Sequence, residues 1–367
     1  MKYLDEYRSP EAVDTLLKEI HKTVTREWTI MEVCGGQTHS LVKNGLIDML
    51  PKQVTMVHGP GCPVCVTPQS LIDKAVWLAK EKGVTLCSFG DMIRVPGTRK
   101  SLLEAKSGGA DVRILYSPLE AVNIAIQNPH KEVVFFAVGF ETTAPANALS
   151  VIHAQRAGIA NYSILTSHVL VPPAIEAIVN DEGNVVQGFL AAGHVCTIMG
   201  MDAYEPLVKK YQLPIVVTGF EPVDLLHGIL MLLQQLENGE YKLENQYRRV
   251  VHPDGNPAAR KTIDTVFDIT DREWRGIAVI PKSGYELKDA YNVYNANRKF
   301  DIPEAAAEAD NGCKAGEILR GKMKPNQCPH FGKTCNPLNP LGAPMVSSEG
   351  ACAAYYHFHQ TVEAVPA

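Results

Sequence analysis

Long apolar runs, blocks of one charge and any basic stripe are all missing from this 367-residue chain. The longest apolar stretches, such as residues 133–140, fall far short of the ~20 residues needed to span a bilayer. A formal charge of −5 spread evenly along the chain leaves no footprint for phosphate backbones, so neither nucleic acid nor membrane is expected as a partner. The opening residues, MKYLDEYRSP, mix acids and bases without an apolar core. No signal peptide is therefore expected, and the protein is read as cytoplasmic. Two attractive nucleotide signatures also fail. Gly316-x4-Gly321-Lys322 is followed by Met323 where a phosphate loop has Ser or Thr, and Gly59-Pro60-Gly61 lacks the third glycine of a dinucleotide fingerprint.

What remains is an ordinary soluble composition, 46% hydrophobic and 20% charged, long enough for two or three domains. The 9 cysteines stand out. In a reducing compartment they do not make a disulfide framework, and metal ligation or redox chemistry is the expected use. Cys34, Cys62 and Cys65 lie near one end of the chain and Cys313, Cys328, Cys335 and Cys352 near the other. Only Cys87 and Cys196 stand apart, each among apolar or small neighbours, as buried packing residues would.

Short β-rich runs alternate with helical segments, the signature of parallel α/β architecture. Strands are expected over 29–33, 54–57, 84–88 and 112–116, then over 133–138, 162–166, 185–190 and 214–218. Ser9 and Pro10 read as the cap and first turn of an N-terminal helix. Amphipathic helices follow over 68–82, 118–127, 146–157 and 222–236. Two successive groups of four strands suggest two small parallel-sheet domains, residues 1–128 and 129–245, divided near 128–130. The pattern breaks near 245: extended runs at 245–251 and 276–281 precede a short Ala-rich helix over 303–309. From Gly312 the chain is rich in Cys, Pro, Gly and Asn and poor in apolar periodicity. A mostly helical or irregular third domain, 246–367, would need a metal cluster to organise it. Gly-Phe-Glu occurs at two strand ends, 139–141 and 219–221, and both turns are expected to face one cleft.

The N-terminal cysteines follow buried strands and precede helices. In an open α/β sheet the carboxyl ends of the strands are where ligands gather. Cys62-Pro63-Val64-Cys65 spaces two sulfurs either as a dithiol/disulfide couple or as half of a metal site. The Gly-Pro-Gly before it makes a tight turn, and Thr67-Pro68 reads as a helix cap and first turn whose dipole favours thiolate. Cys34 precedes Gly35-Gly36, which permit close backbone approach. His39 reads equally as a structural histidine and as a proton donor or acceptor, and a zinc site at Cys62 and Cys65 would take Cys34 with His39 or His58 as its two further ligands. His194 and Glu141 read equally as cleft-lining, core or capping groups. The set Cys313-x14-Cys328-x6-Cys335-x16-Cys352 suits a tetrahedral zinc or a cubane cluster. Absence of the close C-x-x-C knuckles of zinc ribbons favours the cluster.

Cys34-Gly-Gly-Gln-Thr-His39, Gly59-Pro-Gly-Cys-Pro-Val-Cys65, Gly139-Phe-Glu-Thr-Thr143 and Ser347-Ser-Glu-Gly-Ala-Cys352 resemble the HypD family of [NiFe]-hydrogenase maturation proteins, over essentially the whole chain. The resemblance implies two α/β domains and a C-terminal [4Fe–4S] domain similar to the catalytic subunit of ferredoxin–thioredoxin reductase. It implies a scaffold, shared with a small HypC-type chaperone, on which iron acquires cyanide and carbon monoxide ligands, with cyanide delivered as thiocyanate by a HypE-type partner. By position, Cys34 is then the iron-holding thiolate, Cys62 and Cys65 the redox pair or further iron ligands, and Cys313, Cys328, Cys335 and Cys352 the cluster ligands. The competing readings are a disulfide reductase of the ferredoxin–thioredoxin type and a zinc-stabilised interaction module. A simple reductase has no need of Cys34 and its Gly-Gly turn.

Overall fold

The computed structural model describes residues 5–303 and 311–359. The alternating apolar runs become β1 (Trp28–Glu32), β2 (Val54–His58), β3 (Thr85–Ser88), β4 (Val112–Ile114), β5 (Val133–Gly139), β6 (Tyr162–His168), β7 (Gly188–Ala192) and β8 (Ile215–Thr218). A short β9 (Leu243–Asn245) and an antiparallel hairpin, β10 (Phe267–Trp274) with β11 (Ala278–Leu287), follow. Every residue of β5 and of β6 is buried. These strands therefore read as continuous apolar runs rather than alternating ones, as parallel strands covered on both faces do.

The strands form two parallel sheets, ordered β2-β1-β7-β8-β9 and β4-β3-β5-β6. The chain builds two strands of the larger sheet, leaves to complete the smaller one, and returns for the other three. The division expected near 128–130 is thus corrected. It falls inside the smaller sheet, between helix Pro118–Gln127 and β5, while β1 pairs with β2 and with the much later β7, Ile30 opposite Gly188, rather than with β3 or β4. Local pattern marks a buried parallel strand but says nothing about which neighbour it joins, because the crossover hides the pairing.

Side-chain caps explain several helix starts. The Ser9 hydroxyl accepts the amide of Ala12 at the start of helix Pro10–Thr23, and Ser117 with Glu120 forms a capping box on helix Pro118–Gln127. Helix Gln69–Glu81 is capped at Pro68, one residue later than Thr67. Helices Val171–Val179, Glu205–Tyr211 and Pro257–Val266 are additions to the expected set. The third unit also begins later than 246. Phe267, Tyr285, Tyr291 and Tyr294 share one core cluster with Val133 and Phe135, so the base of the hairpin and its flank pack on the smaller sheet, whereas Trp274 and Ile280 nearer its tip join the core of the larger one. The Ala-rich helix expected over 303–309 falls largely on residues 304–310, outside the described residues. From 311 to 359 the chain is indeed irregular, with short helices Ala315–Leu319 and Ala351–Phe358 and 3-10 turns at Pro325–Gln327 and Ala343–Met345. It runs over the carboxyl edge of the larger sheet: helix Ala351–Phe358 lies against helix Gly35–Lys43, and Gly321 rests on Met31 and Val57.

Candidate thiol cleft

Cys34 ends β1 and occupies the cap position of helix Gly35–Lys43. Cys62 and Cys65 follow β2, at either end of the short turn of helix Pro63–Val66. Because β1 and β2 are neighbours in register, from Trp28 opposite Val54 to Glu32 opposite His58, their two turns meet. The Gly35 amide donates to the Gly61 carbonyl at 2.8 Å, and the Gly59 amide donates to Glu32 at 2.8 Å. A Cβ on Gly61 would lie 2.4 Å from the Cys34 Cα, so only glycine allows this contact between backbones.

The C-terminal segment closes the other side. A Cβ on Gly35 would stand 2.5 Å from the Glu349 Cβ, and the His39 Nδ1 lies 3.2 Å from the Ser348 carbonyl oxygen. The turn Ala343–Met345 packs on helix Pro63–Val66, and the Cys313 sulfur lies against Gly342, the residue before that turn. The tip of the β10–β11 hairpin reaches into the same junction. The Arg275 amide donates to the Val66 carbonyl at 2.8 Å, while Gly276 abuts Gly316 beyond Cys313. One short segment therefore separates the Cys62–Cys65 pair from the C-terminal cysteines.

Cys62 and Cys65 form a disulfide with Cα atoms 5.2 Å apart, and they are 3% and 1% exposed. Cys34 is half-buried and free. Burial pushes its thiol up to about 12, the carboxylates of Glu349 and Glu32 adding to the effect against the amides of Gly36 and Gln37. On its own it stays protonated at neutral pH, and a soft cation would be needed to draw out the thiolate. Burial likewise lifts the Cys352 thiol well above its ordinary value, with Cys313, Cys335 and Cys328 raising it further. The other three thiols thus lie near enough to Cys352 to act on its charge. Yet among the described residues no group of three or more His, Cys, Asp or Glu side chains is placed to hold one metal ion. Four thiolates are the donor set either of a single zinc or of a cubane cluster.

Sequence reasoning missed the group that binds these parts together. Glu32 is fully buried in β1. It accepts from the Cys34 amide at 2.9 Å, from the Thr38 hydroxyl at 2.5 Å and from the His58 Nδ1 at 2.7 Å. The far nitrogen of His58 lies 3.0 Å from the Tyr355 hydroxyl, on the helix that carries Cys352. His58 is therefore occupied as a buried connector. The missed signal was a carboxylate inside an apolar strand, which is costly unless it is fully hydrogen-bonded. Cys87 and Cys196 are completely buried, as expected of packing residues. The two Gly-Phe-Glu turns face different spaces, contrary to expectation. Phe220 stacks on His194 with ring centroids 3.7 Å apart and borders a groove beside His39, whereas Phe140 packs on Trp274 inside the core and Glu141 lines a separate cavity. The first turn ends β8 in the larger sheet and the second ends β5 in the smaller, so the sheets carry them apart.

A two-sheet α/β protein whose strand-end thiols lie beneath a cysteine-rich C-terminal segment is the class these features define. The family model described as HypD, hydrogenase formation hypA family, matches residues 11–359, and the chain belongs to that family. It is 45% identical to the hydrogenase maturation factor HypD of Escherichia coli (strain K12), covering 98% of this chain and 99% of the relative. It is 44% identical to the protein of the same name from Azotobacter vinelandii, covering 100% and 99%. A putative hydrogenase expression/formation protein of Methanocaldococcus jannaschii is 45% identical over 90% of this chain and 92% of its own length. No helix among the described residues is long and apolar enough to cross a membrane.

Proposed function

We propose that this chain is a cytoplasmic hydrogenase maturation factor that serves, with a HypC-type chaperone, as the scaffold on which the Fe(CN)2CO group is assembled. The observation that carries the reading is the convergence of a free thiol, a redox-capable pair and four further cysteines at one sheet edge. The iron ion is cargo. Cys34 holds it together with a cysteine of the chaperone, and His39 stands on the same helix. Cyanide arrives as a thiocyanate on a HypE-type partner. Its release is a two-electron step: the thiocyanate and the two thiols of Cys62 and Cys65 give the donor's thiol, cyanide, one proton and the disulfide. The structure holds that pair in the oxidised state. Cys313, Cys328, Cys335 and Cys352 would hold a [4Fe–4S] cluster, which when bound supplies electrons singly.

The reductase alternative needs only the Cys62–Cys65 pair and a cluster, and it leaves the free Cys34 thiol beyond β1 without a use. The test is infrared spectroscopy on protein purified anaerobically after co-expression with its partners. Cyanide and carbonyl stretches are expected in the wild type and absent from Cys34→Ala. Cys65→Ala is expected to keep the iron–sulfur chromophore and lose the cyanide bands. Normal bands in either variant would overturn the corresponding role.

A further inference from the structure

An apolar cavity lies away from the thiol cleft. About 360 Å³ of space lies where helices Val171–Val179 and Glu205–Tyr211 meet the β10–β11 hairpin, walled by Leu170, Pro173, Val195, Met199 and Leu207 among others. That volume lies in the range of small-ligand sites, and apolar walls with a few placed polar groups are their usual composition. Two polar groups are placed here. Glu141, 2% exposed, receives the Val171 amide on Oε1 at 2.9 Å, and its Oε2 has no partner among the described residues. Tyr204, 1% exposed, has a buried hydroxyl that makes no well-formed hydrogen bond there, with the Cys196 thiol alongside. Lys210 and Lys282 also line the cavity, and Lys210 is paired with Glu176.

The geometry points to a second ligand site in this cavity, for a small, uncharged, largely apolar molecule whose single carbonyl or phenol oxygen is bound by Glu141 and Tyr204. Burial raises Glu141 to about 7, so near neutral pH much of the protein carries a proton on this carboxyl. Oε1 already accepts from Val171, which leaves Oε2 to hold that proton. A carboxylic acid kept neutral by apolar surroundings, next to a tyrosine hydroxyl, presents two O–H donors to one acceptor oxygen. Leaving Oε2 unpaired, and the Tyr204 hydroxyl with only the Cys196 sulfur beside it, is costly in the interior, and a ligand oxygen would relieve that cost. The site goes beyond the scaffold role and uses none of the cysteines assigned to it.

The test uses the full-length protein labelled with 13C-methyl methionine, titrated with phenol and, separately, with benzene at pH 6. Met199 lines the cavity, so its methyl resonance reports occupancy, and the other methionine methyls report the fold. Phenol is expected to shift Met199 saturably and to bind more tightly than benzene. Tyr204→Phe and Glu141→Leu should each weaken phenol by about tenfold, a factor worth ~1.4 kcal/mol, and leave benzene unchanged. Glu141→Gln, which keeps an N–H donor, should stay within about threefold of wild type. Equal affinities for phenol and benzene, or phenol binding indifferent to Tyr204→Phe and Glu141→Gln alike while Glu141→Leu is also unchanged, would overturn the assignment. So would a Met199 methyl that does not move. Should Glu141→Leu fail to fold, Tyr204→Phe decides alone.

Discussion

Replacing Glu141 by Gln should make the protein more stable at neutral pH and flatten part of its pH dependence. The carboxyl is fully enclosed, and burial lifts it from its ordinary 4.5 to about 7. Between those two values the folded chain holds a proton that the unfolded chain has released. Stability must therefore fall as pH rises through this window, and level off above it. The gap between the two values corresponds to ~3 kcal/mol, an order-of-magnitude ceiling. Glutamine preserves the acceptor for the Val171 amide but buries an amide N–H2 where Oε2 has no partner, which returns about 1 kcal/mol of that gain. Urea unfolding of wild type and variant at pH 5, 6, 7 and 8 tests this by difference, cancelling the other titrating groups. The two proteins should nearly coincide at pH 5, with the variant pulling ahead by about 2 kcal/mol at pH 8. A constant offset across the series would refute a buried, proton-holding carboxyl at this position.

Tyr355→Phe removes the hydroxyl beside the His58 Nε2 and leaves that nitrogen buried without its partner. A loss of about 1–3 kcal/mol is expected, and amide hydrogen exchange should quicken first along helix Ala351–Phe358. Unchanged exchange there would mean that the helix docks by other contacts. Gly35→Ala would drive a Cβ to 2.5 Å from the Glu349 side chain and 2.6 Å from its carbonyl oxygen, so the 347–350 segment must shift. About 1–3 kcal/mol should be lost, and Cys34 should react faster with a thiol reagent. The control is Gly45→Ala, where a Cβ meets nothing within 4 Å but the backbone φ of +64° is strained; it should destabilise without changing the Cys34 labelling rate.

Element by element, the architecture was readable because buried parallel strands and capped helices leave local marks. The runs at 54–57 and 133–138, and the Ser117-Pro118 start, all fold as their patterns indicate. Partnership was not readable. Trp28–Glu32 pairs with Gly188–Ala192 across more than a hundred intervening residues, and no local pattern encodes that choice. The hairpin was half-seen for a different reason. Ile269 on β10 and Val279 on β11 are both exposed, so apolar residues on the outer face of each strand blur the alternation that would reveal it.

The thiols of the candidate site were visible because cysteine chemistry is rare enough to stand out, but what holds them together was not. Glu32 read only as part of a strand, His58 as a candidate zinc ligand, and nothing in the sequence singled out Tyr355. Together they form one buried chain from the Cys34 turn to the helix bearing Cys352. Such a chain gives the cysteine-rich segment a reason to dock that is independent of any metal, because Glu32 is fully buried and needs each of its donors. It also explains why Cys34 remains half-open while the Cys62–Cys65 pair is sealed: the segment that supplies Tyr355 also covers helix Pro63–Val66 through its 343–345 turn. A partner's thiocyanate can then reach the sealed pair only where that segment gives way, whereas Cys34 is half-open as it stands.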